Sequence, residues 1–309
     1  MAKPVSPFVD YDLYSDFYAL VRQIPHGMVT TYGALAKALG DIAAARACGY
    51  MLSINPDPVG TPCYKVVRAD GSVGKFTHPL GSEEKIRRLQ NDGVPIADGK
   101  ISGFEERCFT GFKSGLPLEK MREEQSRLAS LVSLDDDFSM DEVAAVDVSY
   151  DDFYGYGAMA IDHGGNIEFR HARMEIRFPY IPGYLSYREF KFIRELAGDY
   201  SGMLLVDGNG YLHPRRIGLA SFAGVMLGIP TIGIAKSLLL GTRVGNWINN
   251  NGSRLAYSLN RGCIISAGHR ISLDSAVSFV LEKYNRKYPE LLKAAHNETV
   301  KLRKGQHLP

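Results

Sequence analysis

The run LLVDGNGYLHPRRIGLA constrains this chain most, because an apolar stretch ends on a carboxylate and passes directly into glycines and basic residues. Residues 203–206 predict a buried strand that delivers Asp207 to the edge of a sheet. Gly208 and Gly210 allow a polyanion to approach the backbone, although a turn or helix cap is the alternative role for the aspartate. The segment predicts a metal site facing phosphate. The basic residues that follow the glycines are His213, Arg215 and Arg216.

A second carboxylate, Asp147, lies in another apolar, β-rich run, VAAVDVSY. Neither Asp147 nor Asp207 has an obvious local salt-bridge partner. Paired carboxylates at neighbouring strand ends repel each other unless a cation lies between them. Hard oxygen ligands select Mg²⁺, or Mn²⁺ in its place, over zinc. The two aspartates are therefore the predicted metal ligands.

A proline-braced turn, PYIPGYLSYRE, contributes a third acid and an exposed aromatic side chain. The prolines hold Tyr180 in a fixed direction just before a helix that is predicted to begin near Ser186. Such a rigid aromatic suits a wedge pushed into a base stack. Glu189 lies in the first turn of the helix, where a carboxylate also favours the helix dipole without any metal. Local sequence leaves both roles of Glu189 open.

Together with ISAGHRISLDSA, these blocks resemble endonuclease V, the deoxyinosine-directed nuclease of RNase H-like fold, over residues 141–285. The resemblance implies that Asp147 and Asp207 bind the metal and that Glu189 completes the acidic cluster. It also implies hydrolysis of the second phosphodiester 3′ to deoxyinosine or another deaminated base. Inosine-containing RNA is the alternative substrate, because such metal sites do not inherently require DNA.

The same resemblance assigns three further residues. Tyr180 matches the strand-separating wedge, and Lys236 in GIAKS matches a basic catalytic residue. His269 is expected near the scissile phosphate or a second metal, although a lone loop histidine is also often structural. Water activated by the metal would serve as nucleophile, so no nucleophilic side chain is required.

The first hundred residues have a different character. They predict a helix over about Tyr32–Leu39, capped by Thr30 or Thr31, and a second over about 42–54, capped by Asp41. Small residues dominate both, which is compatible with a helix-turn-helix unit or with plain helix packing.

The segment TPCYKVVRADGSVGKF places Cys63 close to Lys65 and Arg68, two cations that would favour the attacking thiolate. An inert buried thiol is the alternative for any single cysteine. With IPHGMVTTYGALA and AAARACGYML, the block over residues 8–95 resembles the DNA-binding, active-site domain of O6-alkylguanine-DNA alkyltransferases.

This second resemblance implies that Cys63 accepts an alkyl group irreversibly. Arg46 would fill the space left by a flipped guanine, Tyr32 would assist phosphate rotation and base recognition, and Asn55 would brace the active-site turn. The base must leave the stack because its O6 substituent is inaccessible to in-line attack within the duplex.

The chain departs from the usual PCHRVV pattern of that family, since Tyr64 replaces the histidine that relays the cysteine proton. Asp92, in LQNDGV, stands where a glutamate commonly ends the relay. We therefore expect a tyrosine bridge between Cys63 and Asp92. The alternative is a domain that only recognises alkylated bases and recruits other repair proteins.

Composition limits the partners and the location. The formal charge of +2 is nearly balanced, so a surface for damaged DNA, double- or single-stranded, must be local. The four cysteines show no CxxC spacing, no apolar run reaches the length of a membrane span, and no leader pattern opens the sequence. We expect a reduced, cytoplasmic protein with no structural zinc, no nucleotide cofactor and no membrane association.

We expect two domains of α/β and α+β class. A winged helix-turn-helix-like alkyltransferase domain is predicted over residues 1–100, a linker over 101–140, and an RNase H-like α/β nuclease domain over 141–309. The linker contains a predicted helix at 118–132 and a solvated acidic run at 135–137. In the nuclease domain we expect strands near 143–149, 156–162, 166–178, 203–206, 231–235 and 263–266, and helices near 216–228 and 273–285.

Overall fold

The computed structural model describes residues 8–260 and 262–305, and these form two compact units. The smaller unit contains Tyr11–Glu123 and Arg177–Pro182. The larger unit contains residues 8–10, Glu124–Ile176 and the chain from Gly183 onward. Residues 101–140, the predicted linker, are thus divided between the two units.

The smaller unit is mainly helical, with short strands. The buried side chains of Phe17, Leu35 and Met51 form part of its core. The predicted first helix has the expected bounds because the Thr31 hydroxyl accepts a hydrogen bond from the Ala34 N–H, and a left-handed Gly40 ends the helix. Its helices are α1 Leu13–Val21, α2 Tyr32–Leu39, α3 Ala45–Ser53, α4 Gly81–Asn91 and α5 Phe104–Arg107; its strands are β1 Thr30–Thr31, β2 Val66–Val67, β3 Ile96–Ala97 and β4 Lys100–Ile101.

The second predicted helix starts differently from the prediction. Asp41 caps a 3-10 turn at Ile42–Ala44 by accepting from the Ala43 N–H, and only then does α3 begin. A further 3-10 turn, Cys63–Lys65, leads into β2. Helix α6, Pro117–Ala129, continues the chain toward the larger unit and confirms the helix predicted near 118–132.

The larger unit is built on a mixed nine-stranded sheet with the order β10-β11-β12-β13-β9-β8-β5-β6-β7. The central strands β5, β8 and β9 are mutually parallel, and their neighbours on both sides are antiparallel. The strands are β5 Val143–Tyr150, β6 Tyr154–His163, β7 Asn166–Glu175, β8 Met203–Asp207, β9 Thr231–Ala235, β10 Thr242–Val244, β11 Trp247–Asn250, β12 Ser253–Asn260 and β13 Cys263–His269.

Four helices cover this sheet. Helices α9 and α10 share one apolar cluster with Ala145, Leu205 and Ile232 from the central strands. Helices α7 and α8 pack against each other, and Phe192 of α7 lies over glycines of β6. The helices are α7 Leu185–Ala197, α8 Leu219–Leu227, α9 Leu273–Lys283 and α10 Glu290–Arg303.

The predicted α/β pattern of the larger unit is confirmed. The third predicted strand ends at Glu175 and does not reach residue 178, while strands β10 to β12 and helix α10 were not predicted. Within residues 8–260 and 262–305, no helix combines the length and apolar character needed to cross a bilayer.

Candidate active sites

Asp147 and Asp207 lie side by side on the adjacent central strands β5 and β8. The parallel pairing of β5 with β8 aligns Val146 with Val206, so the next residue on each strand is an aspartate. Neighbouring strands lie about 4.8 Å apart, which brings the two carboxyl groups close enough to interact electrostatically. The predicted pair of carboxylates is therefore brought together by strand register.

Glu189, from the first turns of α7, faces the same pair. Burial raises the pKa of Glu189 to about 8, and the charges of Asp147 and Asp207 add to this rise. The Tyr150 hydroxyl donates to Glu189 Oε1 at 2.8 Å and fixes the carboxyl group. Burial and the adjacent Asp147 raise the pKa of Asp207 to about 6. The three acids thus form an acidic cluster in which burial and mutual repulsion oppose ionisation.

Two basic residues contact the acidic cluster. Lys236 directly follows β9 and donates to Asp207. His296 of α10 places Nδ1 2.7 Å from Asp147 Oδ2. Sequence reasoning did not identify His296 as a candidate site residue. Its role becomes visible only in the structure, where the helix that carries this histidine packs against β5.

The structure does not bring His269, predicted near the scissile phosphate or a second metal, to the acidic cluster. Strand β13 runs antiparallel to β9, and His269 pairs with Thr231, the first residue of β9, whereas Asp207 aligns with Ile234. His269 therefore lies toward the opposite end of these strands from Asp207. There its Nδ1 accepts from the Ser133 N–H at 3.1 Å. Burial, together with Arg270, lowers the pKa of His269 to about 4, so the ring is neutral.

The donor chemistry of the acidic cluster fits a hard divalent cation. Asp147, Asp207 and Glu189 offer only carboxylate oxygens, and a cation between them would offset the burial and the repulsion that raise the pKa values of Glu189 and Asp207. In the part of the chain that the structure describes, no three His, Cys, Asp or Glu side chains already have metal-ligand spacing. Lys236 holds Asp207 in a hydrogen bond, so binding a metal there requires this side chain to move, whereas His296 contacts only Oδ2 of Asp147.

The proline-braced turn presents Tyr180 to solvent, with 61% of the residue exposed. The neighbouring Phe178 and Ile181 are buried at 2% and 0% and anchor the turn on either side. A large aromatic between two buried anchors has the exposure that a wedge requires.

In the smaller unit, Cys63 is 8% exposed and lines a cavity of about 240 Å³ with Tyr32 and Asn55. The Asn55 amide donates to the Thr61 carbonyl at 3.0 Å, which ties the loop before Cys63 in place. Arg46 is exposed on α3 and does not line this cavity.

Lys85, which sequence reasoning missed, is a buried cation in the lining of the Cys63 cavity. The residue is 1% exposed, and its ammonium group donates to the Val66 carbonyl at 2.6 Å. Burial lowers the pKa of Lys85 to about 8, while negative charge at Cys63 acts in the opposite direction. The predicted cation Lys65 is instead engaged by Asp92, whose Oδ2 lies 2.8 Å from the Lys65 ammonium.

The predicted bridge through Tyr64 is not formed by direct hydrogen bonds. Burial and the nearby charge of Asp92 raise the pKa of Tyr64, so the two residues are neighbours. Within residues 8–260, however, the hydrogen bonds and ion pairs of Asp92 are made with Lys65, the Gly27 N–H and His26. The short loop 24–27 and Lys65 therefore surround the carboxylate that was expected to end the relay.

Each half of the chain matches a known protein family. Residues 126–297 match the endonuclease V family, and residues 12–94 match the DNA-binding domain of 6-O-methylguanine DNA methyltransferase. An endonuclease V from Streptomyces avermitilis superimposes with a TM-score of 0.55 at 29% identity, covering 60% of this chain and 93% of that one.

Two curated relatives match along nearly the whole chain. A bifunctional methyltransferase/endonuclease from Picrophilus torridus is 50% identical over 294 residues, which cover 95% of this chain and 98% of the relative. A protein of the same description from Thermoplasma volcanium is 48% identical, covering 94% and 91%. The chain therefore belongs to the endonuclease V family and, along nearly its full length, to the bifunctional methyltransferase/endonuclease enzymes that join such a nuclease to a methylguanine methyltransferase DNA-binding domain.

Proposed function

We propose that this chain is a DNA-repair enzyme with two independent active sites. The nuclease site hydrolyses the second phosphodiester 3′ to deoxyinosine or another deaminated base, and the other site transfers an alkyl group from O6-alkylguanine to Cys63. The observation that supports the nuclease most strongly is the alignment of Asp147 with Asp207 beside Glu189. The substrate is damaged DNA, double- or single-stranded.

The domain boundaries and fold types are part of the same proposal. A winged helix-turn-helix-like alkyltransferase domain takes residues 1–100, and an RNase H-like nuclease domain takes residues 141–309. Support comes from the α2–α3 pair in the first and from the mixed sheet with central parallel strands in the second.

In the nuclease site, Asp147, Asp207 and Glu189 would hold Mg²⁺, or Mn²⁺ in its place. The bound ion would activate water and offset charge on the phosphate in the transition state. Lys236, released from Asp207, places an ammonium group where it can pair with a phosphate oxygen. Tyr150 fixes Glu189, and His296 fixes Asp147, so both carboxylates keep their direction as substrate enters.

At the second site, the Cys63 thiolate forms a bond to the alkyl carbon as the bond from that carbon to guanine O6 breaks. The electron pair of the broken bond stays on the guanine, which takes up a proton. Lys85 lies in the same cavity and stabilises the thiolate. Tyr32 and Asn55 line the pocket that receives the flipped base, and Arg46 fills the gap in the stack.

Tyr180 completes the proposal as the wedge that separates strands next to the deaminated base. Support comes from its exposure between buried anchors and from the stiffness of the surrounding prolines.

One assay tests both sites. The protein is incubated with an oligonucleotide that carries labelled O6-methylguanine and with another that carries deoxyinosine, with and without Mg²⁺. We expect label on the protein in both conditions and incision only with the metal. Cys63→Ala should abolish label transfer and spare incision, and Asp147→Ala should do the reverse.

Matched controls are Cys108→Ala, a half-exposed cysteine outside the cavity, and Asp199→Ala, whose carboxylate is 96% exposed. Loss of both activities in either site variant would contradict independent sites. Intact binding to methylguanine DNA without label transfer would leave the lesion-recognition alternative. Faster cleavage of a matched inosine RNA would favour the RNA alternative.

A further inference from the structure

The larger unit contains a second polar pocket that is separate from the acidic cluster. Its volume is about 280 Å³, and none of its lining residues is acidic. The pocket reaches Ala267 on β13, which is two strands, or about 10 Å, away from β8 and Asp207. The lining residues are Leu134, Tyr211, Arg216, Ser253, Arg254, Leu255, Ala267 and Leu273.

Arg216 is the polar centre of this pocket. Its Nη1 is buried and has no hydrogen-bond partner among the described residues, although a buried donor without a partner is costly. The backbone of Arg216 has a positive φ of 57°, a conformation that few residues other than glycine adopt readily. An arginine in this uncommon backbone conformation, with a buried Nη1 that lacks an acceptor, indicates a site for an external acceptor.

The other lining groups define the class of that acceptor. Arg254 adds a second guanidinium, and Ser253 and Tyr211 add hydroxyl donors. Two arginines without an acid in the pocket fit phosphate, whose oxygens take paired hydrogen bonds from the planar guanidinium.

The three acids that follow Leu134 in sequence each have a partner. Asp135 accepts from the Ser133 hydroxyl, Asp136 accepts from Ser272 and Ser275, and Asp137 pairs with Arg270.

The remaining lining residues are mainly apolar. The Arg216 guanidinium lies 5.4 Å from the centroid of the Tyr211 ring, and three leucine side chains also line the pocket. Such a surface suits the face of a planar ring adjoining a phosphate. We propose that this pocket binds a nucleotide, with its phosphate on Arg216 and Arg254 and its base against Tyr211 and the leucines.

The nucleotide has two sources, a unit of a DNA strand or a free mononucleotide, and both present the same chemistry. The inference goes beyond the proposed function and requires neither reaction to occur. It is therefore tested by binding in the presence of EDTA, where the acidic cluster holds no metal.

The chain offers an internal reporter. Its one tryptophan, Trp247, lies 4.8 Å from the Arg254 guanidinium, so an occupant on Arg254 changes its fluorescence. The full chain is titrated with thymidine 5′-monophosphate, thymidine, inorganic phosphate and 5′-phosphorylated tetrathymidylate. We expect saturable binding of the monophosphate with a Kd below about 1 mM, and binding at least about tenfold weaker for thymidine or phosphate alone.

Arg216→Gln and Arg254→Gln should each weaken binding about tenfold or more. Because Arg254 contacts the reporter Trp247, its substitution changes the fluorescence by itself, so calorimetry should give the same affinities. Arg286→Gln, at an exposed arginine that also has positive φ, is the matched control and should change nothing. If Arg216→Gln fails to fold, Arg254→Gln on an exposed strand position decides alone.

The tetranucleotide identifies the source of the nucleotide. If it binds tighter than the monophosphate and displaces it, the occupant is a strand unit; if not, the occupant is a free nucleotide. Equal affinity for thymidine or phosphate alone, no saturable binding, or unchanged binding in both arginine variants would overturn the proposal.

Discussion

His296 Nδ1 lies 2.7 Å from Asp147 Oδ2, which connects the last helix of the chain to the first strand of the nine-stranded sheet. The Ser149 hydroxyl donates to the Thr299 carbonyl one turn further along α10 and holds the same two elements in register. The imidazole is half-exposed and the carboxylate is buried, so the histidine is the outer partner. The position of α10 therefore determines the direction of a carboxylate that we propose binds the metal.

The first prediction compares the two histidines. His296→Ala should lower the rate of inosine-specific incision about 10- to 100-fold, because the partner that orients Asp147 is lost. His269→Asn keeps an acceptor for the Ser133 N–H and should leave incision per folded molecule unchanged, since His269 lies away from Asp147. Single-turnover incision with Mg²⁺ measures both. A larger loss in His269→Asn than in His296→Ala would show that the assignment is reversed.

The second prediction concerns Lys85. Lys85→Met should slow alkyl transfer to Cys63 at pH 7 by about tenfold, because the buried ammonium no longer stabilises the thiolate. The pKa of Lys85 is lowered to about 8, so its charge is present below pH 8 and lost above it. The difference between the two proteins should therefore shrink at pH 9. Lys75→Met, at another lysine of the cavity lining, is the control, and an equal effect there would argue against a specific role for Lys85.

Much of this architecture is predictable from sequence where local signals and tertiary structure agree. Residues 231–235 form a strand with the predicted bounds, and Asp207 ends β8 as the apolar run before it indicates. Helix α2 begins at its threonine cap and ends at Gly40 for reasons that are visible in the sequence alone.

The remaining features depend on contacts that are distant in sequence. The end of the sheet at which His269 lies depends on the antiparallel direction of β13, which no local pattern encodes. Helix α4 reads GSEEKIRRLQN, and nothing in its charge pattern distinguishes Lys85, which is buried, from its exposed basic neighbours. Strands β10 to β12 are short or interrupted by polar residues, so their apolar alternation is too weak to predict.

The third prediction tests the relay through Tyr64. Tyr64→Phe should leave alkyl transfer within about twofold of the unchanged protein, because no hydrogen bond joins the Tyr64 hydroxyl to Asp92 or Cys63 in the described residues. Asp92→Asn should instead lower stability by about 3 kcal/mol, since it leaves the Lys65 ammonium buried without a counter-charge. Label-transfer kinetics and urea unfolding measure the two effects. A large decrease in the rate of alkyl transfer in Tyr64→Phe would instead support a proton relay through Tyr64.

The fourth prediction concerns the exposed aromatic of the proline-braced turn. Tyr180→Ala should reduce incision of duplex inosine DNA about tenfold and reduce incision of single-stranded DNA less, because only a duplex requires strands to be separated. Phe153→Ala, at an equally exposed aromatic with 66% exposure, is the matched control. Equal losses on both substrates would indicate a general binding role in place of a wedge.

The fifth prediction is a pH dependence of stability that arises from His213. Burial, with the charge of Arg215, lowers the pKa of His213 to about 4, against 6.5 for an ordinary histidine. The fold favours the neutral ring, so the stabilisation is fully present above pH 6.5 and is lost as the pH falls toward 4. The loss should be on the order of 3 kcal/mol, and His269 contributes in the same direction.

His213→Asn keeps an acceptor for the Arg215 N–H and removes the titrating group, so it should flatten the fall in unfolding free energy between pH 6.5 and 4. Urea unfolding at pH 7.5, 6, 5 and 4 measures the slope for both proteins. His163→Asn, at an exposed histidine for which no such burial applies, should keep the original slope. The same slope in His213→Asn as in the unchanged protein would show that other groups control the acid sensitivity.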